Sequence, residues 1–197
     1  MSTTKKLVIA VVALSVAMCC MIGGTLAWLI STPDPVVNTF TVGGLEITLD
    51  EAPVDANGKA TSGTRVKANT YHLRPNGEYD KDPTVHVAAN NEKCYVFVKI
   101  ENGLKNIIVG TSIEDQILAN GWTELEDGVY YQVVNAATSV TDLDVFESFK
   151  ITSDINKTDL ATYKAAEIEV TAYAIQHLGF ENNVSGAWTT VSAAANG

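Results

Sequence analysis

From residue 45 onward the chain is written in steps of two. Leu45, Ile47 and Leu49 alternate with Glu46 and Thr48, and Val85 and Val87 alternate with Thr84 and His86. Cys94, Val96, Val98 and Ile100 share one parity against Tyr95, Phe97, Lys99 and Glu101. Ile168, Val170, Ala172 and Ala174 do the same against Glu167, Glu169, Thr171 and Tyr173. Successive side chains of a strand point to opposite faces, so this pattern predicts antiparallel strands with one face on a core and the other in water. Further strands are expected at residues 66–73, 129–134 and 146–151, separated by the turn sequences Asn57-Gly58, Pro75-Asn76-Gly77, Asp82-Pro83 and Asp127-Gly128. About seven or eight short strands with little helix predict an all-β fold, an antiparallel two-sheet sandwich of the jelly-roll type.

Two helical excursions interrupt the strands. Residues 112–119 place Ile113, Ile117 and Leu118 at helical spacing, with Ser112 as N-cap and Asn120-Gly121 as the stop. Residues 159–166 supply a second helical turn. The tail, residues 183–197, is rich in small residues and receives no assignment from pattern. No internal repeat is present.

The head of the chain obeys different rules. Lys5 and Lys6 precede an apolar run over residues 7–22 in which Ser15 is the one polar member, and Gly23-Gly24-Thr25-Leu26-Ala27 follows. A basic head, an apolar stretch and small residues before a break read as a secretory signal peptide. Thr25 and Ala27 suit the two small pockets of a signal peptidase, which places cleavage between Ala27 and Trp28. The alternative is a retained anchor, since the apolar character continues to Ile30 and is just long enough to span a bilayer. Gly23-Gly24 breaks a helix where a signal peptide ends and favours cleavage. Val16-Ala17-Met18 lacks the small residue expected before a lipidated Cys19 or Cys20. The organisation expected is therefore a signal peptide at 1–27, an apolar segment at 28–42 and a β domain at 43–197, secreted to the extracellular matrix or cell surface.

Charge narrows the partners. The whole chain carries a net charge of -10. The 13 basic side chains less Lys5 and Lys6 leave 11 against 23 acidic ones, a net of -12 for the processed chain. Such a balance disfavours nucleic acid and anionic membrane surfaces. Cys94 becomes the lone cysteine, and its apolar surroundings predict a small buried hydrophobe.

The sequence shows no recognisable catalytic set. His72, His86 and His177 are widely separated and form no His-Glu-x-x-His arrangement. No Gly-x-Ser-x-Gly or phosphate-binding glycine loop occurs, and Cys94 lies in a strand pattern rather than at a helix N-terminus. Acidic residues cluster at 78–82 and 123–128 in oxygen-rich stretches of the kind calcium uses, without EF-hand spacing, and read as solvated loops. No cofactor is expected. The sequons Asn156-Lys157-Thr158 and Asn183-Val184-Ser185 carry little weight, being short.

Several stretches in order resemble one family. Gly23-Gly24-Thr25-Leu26-Ala27-Trp28-Leu29, then Asn38-Thr39-Phe40-Thr41-Val42-Gly43-Gly44-Leu45-Glu46-Ile47, is the first. Leu73-Arg74-Pro75-Asn76-Gly77, Lys81-Asp82-Pro83-Thr84-Val85, Asn90 and Cys94-Tyr95-Val96-Phe97-Val98-Lys99 form the second. Gly121-Trp122-Thr123 with Asp127-Gly128-Val129-Tyr130-Tyr131 and the stretch 143–151 form the third. Ala172-Tyr173-Ala174-Ile175-Gln176 with Phe180 and Ala187-Trp188 form the fourth. Together they resemble the TasA/camelysin group of secreted proteins from Gram-positive bacteria, processed by the signal peptidase SipW. Cys94 stands where that group usually has a small residue, and Pro33-Asp34-Pro35 stiffens the segment after the cleavage site.

The resemblance implies a jelly-roll subunit of a biofilm-matrix fibre, whose N-terminal segment leaves its own domain to complete a sheet of the next subunit. It implies a homopolymer, with a paralogous subunit as a further partner and SipW during export. Trp28, Leu29, Ile30, Val36, Val37, Phe40 and Val42 are the candidate donor residues, with 36–42 expected to pair as strand and Pro33–Pro35 to form the bend. The competing expectation is that this segment is the first strand of its own sandwich. Two other functions travel with the resemblance: a camelysin-like cell-surface metalloendopeptidase, and a minor adaptor that caps or anchors a fibre.

Overall fold

Alternation resolves into ten strands among the residues described by the structure, a computed structural model covering residues 39–42 and 45–195, all within the unit Ser31–Gly197. They are β1 (Thr39–Val42), β2 (Ile47–Asp50), β3 (Glu78–Asp80), β4 (Thr84–Val87), β5 (Cys94–Asn102), β6 (Thr123–Glu126), β7 (Val129–Val134), β8 (Thr141–Asp144), β9 (Ser148–Lys150) and β10 (Ile168–Gln176). Three short α-helices accompany them: α1 (Ile113–Ala119), α2 (Lys157–Leu160) and α3 (Val184–Ala195). The chain is all-β in character, and its strands pair almost throughout as antiparallel neighbours.

A five-stranded sheet has the order β1-β10-β5-β7-β6, a three-stranded sheet the order β2-β4-β8, and β3 pairs with β9 alone. The two larger sheets share one core, because the apolar parity of each points at the other. Val96, Val98, Val170, Ala172 and Ala174 come from the first sheet; Ile47, Leu49, Val85, Val87 and Leu143 come from the second. Tyr79 of β3, Phe149 of β9 and Ile113 and Ile117 of α1 close the ends of the same cluster.

Four sequence expectations are corrected. The opposite face of β5 and β10 is not wetted along their inner stretch. Tyr95, Phe97, Tyr173 and Ile175 pack under Ala187, Trp188 and Val191 of α3, so the unassigned tail is the cover of the five-stranded sheet. Residues 66–73 do not form a strand. One isolated bridge joins Val66 to Glu51, and beyond it the Asn69 side chain takes over, donating to Ala52 O and accepting from Val54 N. Side-chain hydrogen bonds have replaced a ladder there. The acidic stretches 78–82 and 123–128 contain strands β3 and β6 rather than solvated loops. Lastly, β1 runs parallel to β10, not antiparallel, with Thr39 opposite Ala172 and Val42 opposite Ile175.

The helical expectations hold in kind. Ser112 caps α1 by accepting from the Asp115 amide, and the helix ends at Asn120 before Gly121 at φ +85°. The second excursion begins slightly earlier, with α2 continuing into a 3-10 turn at Ala161–Tyr163. Both sequons sit at helix starts. Asn156 accepts from the amides of Thr158 and Asp159, and Asn183 accepts from that of Gly186. Capping accounts for an Asn with Ser or Thr close behind it.

Candidate functional site

The five-stranded sheet has two edges of different chemistry. At one lies β6, whose Glu124 and Glu126 put carboxylates on an edge with a register irregularity between them. Charge and irregularity both discourage another strand from pairing. At the other lies β1, an uncharged four-residue strand set against β10, which spans nine residues. Its described register runs from Thr39 opposite Ala172 to Val42 opposite Ile175.

Of the candidate donor residues, Phe40 and Val42 fall in β1, in register with Tyr173 and Ile175. Trp28, Leu29, Ile30, Val36 and Val37, and the cleavage pair Ala27 and Trp28, lie outside the described residues, as does the Pro33–Pro35 bend.

The outer face of the three-stranded sheet carries a charged network. Arg65, from the loop before β3, donates through Nε to the Asp50 carboxylate and through Nη1 to Asp82 at 2.9 Å. Its Nη2 reaches Asp82 O at 2.8 Å and Thr84 Oγ1 at 2.9 Å. Thr84 in turn contacts Asp144 on β8 at 3.1 Å, and Asp82 accepts from the Ala52 amide at 2.7 Å. His86, in the central strand β4, stands between Asp142 at 2.7 Å from Nδ1 and Asp50 at 2.9 Å from Nε2.

The titration of these groups follows from their neighbours. Burial disfavours the charged forms of His86 and Asp50, and the contacts outweigh it in both. Hydrogen bonds and charge from Asp142 and Asp50 raise His86 above its ordinary value. The Arg65 and His86 partners hold Asp50 below the usual carboxylate range. Nearby, Glu51 is 3% exposed and accepts from Lys81 Nζ at 2.8 Å. Its second oxygen is buried without a hydrogen-bond partner.

The remaining chemical candidates do not converge. His86 has both ring nitrogens engaged by carboxylates. His177 stacks on Tyr95 at 4.8 Å between centroids and lines an open cleft of about 480 Å³ with Glu92, Lys93 and Leu178. His72 lies elsewhere, in the loop whose carbonyl accepts from Tyr79 Oη. Cys94 is fully buried, and desolvation pushes its thiol up to about 11, the behaviour of a core residue rather than a nucleophile. Asp80 is taken up by Lys59 and the Ala60 amide, and Asp82 by Arg65. Among the described residues no group of three or more His, Cys, Asp or Glu is placed to hold a metal ion, and no helix is long and apolar enough to cross a membrane.

Comparison with protein-family models, with curated proteins and with solved structures found no match.

What sequence reasoning missed here is the Asp50–Arg65–His86–Asp142 network, the Glu51–Lys81 pair and the role of Trp188. A usable signal existed for part of it. Asp142 and Asp144 share the outward parity of β8, and His86 has the outward parity of β4 opposite Asp142, so polar side chains repeating at that spacing share one face.

Proposed function

We propose that this chain is a secreted structural subunit, a jelly-roll domain that polymerises head to tail into extracellular fibres by exchanging its N-terminal strand. The observation that carries the reading is the β1 edge: an uncharged strand from the expected donor segment lies in parallel on β10 at one edge of the five-stranded sheet. Addition of a strand to an exposed sheet edge is the geometry of strand complementation, in which main-chain hydrogen bonds supply the affinity. A slot that accepts the segment of its own chain accepts the identical segment of a neighbour. Passed from each copy to the next rather than exchanged reciprocally within a pair, such a contact is heterologous and propagates as a filament when its rotation does not close.

The register gives the donor a natural length. Carried back from Thr39 opposite Ala172 in an arriving neighbour strand, it sets Val36 against Glu169 and Pro35 against Ile168, the first residue of β10. Pro35 has no N–H to offer a ladder, so the pairing ends where β10 begins. The acidic β6 edge leaves β1 and β10 as the permissive side of the sheet. The resemblance to the TasA/camelysin group points the same way.

The test is electron microscopy of the processed protein with and without residues 28–42. Filaments are expected from the intact chain and none from the truncated one. Filaments that persist unchanged after truncation overturn the strand-exchange mechanism.

A further inference from the structure

His86 occupies the middle of the three-stranded sheet, on the strand that both β2 and β8 pair with. Its ring reaches one carboxylate on each flank: Asp50 Oδ1 of β2 lies 2.9 Å from Nε2, and Asp142 Oδ1 of β8 lies 2.7 Å from Nδ1. A carboxylate accepts and does not donate, and a neutral imidazole carries only one N–H. The neutral ring therefore satisfies one flank and turns a lone pair toward the carboxylate of the other. Only the imidazolium donates to both.

We propose that His86 is a proton-operated clamp, joining β2 and β8 across β4 while it is an imidazolium and releasing one flank when it loses its proton. The charged groups facing it are Asp50 and Asp142 directly, Arg65 through Asp50, Asp82 through Arg65, and Asp144 through Thr84. Thr48, opposite His86 on β2, is uncharged. Arg65 shares Asp50 and weakens that arm, whereas Asp142 is the unshared one. The side chain is 23% exposed, so its proton exchanges with solvent without unfolding.

The direction of the effect follows from linkage. His86 titrates above its ordinary value in the folded chain. Its contribution to stability is complete below about pH 6.5, the value of an unfolded imidazole, and is lost as pH rises through the folded value. The sheet is thus tight in mildly acidic surroundings and looser in alkaline ones.

The test uses the ¹⁵N-labelled full chain, with His72→Gln and His177→Gln to assign the ring signals. Both His86 nitrogens are expected to be protonated at about pH 6, with a titration point above that of an unfolded imidazole. The urea midpoint of the parent chain is expected to fall between about pH 6 and about pH 9, and that fall to be lost in His86→Gln. A neutral His86 ring at about pH 6, or parallel stability profiles for parent and His86→Gln, overturns the clamp. Should His86→Gln not fold, Asp142→Asn serves, because Asp142 is 62% exposed on the edge strand β8. It is expected to lower the titration point of His86, and an unmoved titration point overturns the proposal.

Discussion

Tyr79 is the residue on which the most local structure depends. It is 1% exposed, its ring stacks on Phe149 at 5.1 Å, and Tyr71 meets it edge-on at 5.9 Å. Its hydroxyl donates to His72 O at 2.9 Å and accepts from the Arg74 amide at 2.8 Å, hanging the loop before β3 on a single oxygen. Gly58, at φ +74°, and Gly77 flank the ring so closely that a Cβ at either would overlap it. Tyr79→Phe keeps the ring and leaves both loop groups without their partner. The expected loss is about 1–3 kcal/mol, the penalty for an orphaned buried donor or acceptor. Urea unfolding checks it through a lower midpoint at unchanged slope. The surrounding Glu78, Asp80, Lys81 and Asp82 disguise this position in the sequence: one buried side chain among four charges carries no periodic signal.

At the scale of elements, α3 decides whether the five-stranded sheet has a wet face. The helix contains no charged residue and is mostly Ala, Ser, Thr and Val, so neither ion pairs nor the dipole sustains it. Its hold is Trp188, packed against Phe97 at 5.5 Å and edge-on to Tyr173 at 5.1 Å, with Nε1 donating to Glu126 at 2.7 Å. Trp188→Ala is expected to cost about 3–5 kcal/mol, and to speed amide exchange in β5 and β10 beneath the helix. Trp188→Phe keeps the packing and loses one hydrogen bond, about 0.5–1.5 kcal/mol. An equal loss in both variants would mean that the hydrogen bond, not the ring, seats the helix.

The same element explains what was legible beforehand. Strict alternation identified β2, β4, β5 and β10, and the Asp127-Gly128 turn marked the β6–β7 connection. A helix of small residues has too weak a contrast between faces to be read, and without it the Tyr95–Phe97 parity looked solvent-facing. Residues 66–73 looked like strand because β propensity describes side chains, whereas Asn69 and Arg65 settled the backbone through hydrogen bonds to distant positions. The charged network was illegible for a related reason: Asp50, His86 and Asp142 meet only once strand order and register exist. A parallel β1 beside β10 is likewise a fact of topology, which no local period encodes.

For the whole molecule, charge and edge chemistry act together. The net charge of -10 makes copies repel, and the acids Glu124 and Glu126 on β6 and Asp142 and Asp144 on β8 repeat that repulsion at strand edges. Thr39, Phe40, Thr41 and Val42 carry none of it. A neighbour approaching the β1 side meets long-range repulsion but no local charge, whereas one approaching β6 or β8 meets both. Screening removes the long-range part first, since the Debye length falls from ~10 Å at 0.1 M salt to ~3 Å at 1 M. Moderate salt is therefore expected to speed ordered assembly of the proposed fibre, with the filament morphology unchanged. Light scattering across ionic strength, followed by microscopy of each sample, measures both quantities. Slower assembly on adding salt would show that attraction between charges, not an apolar strand working against repulsion, brings the copies together.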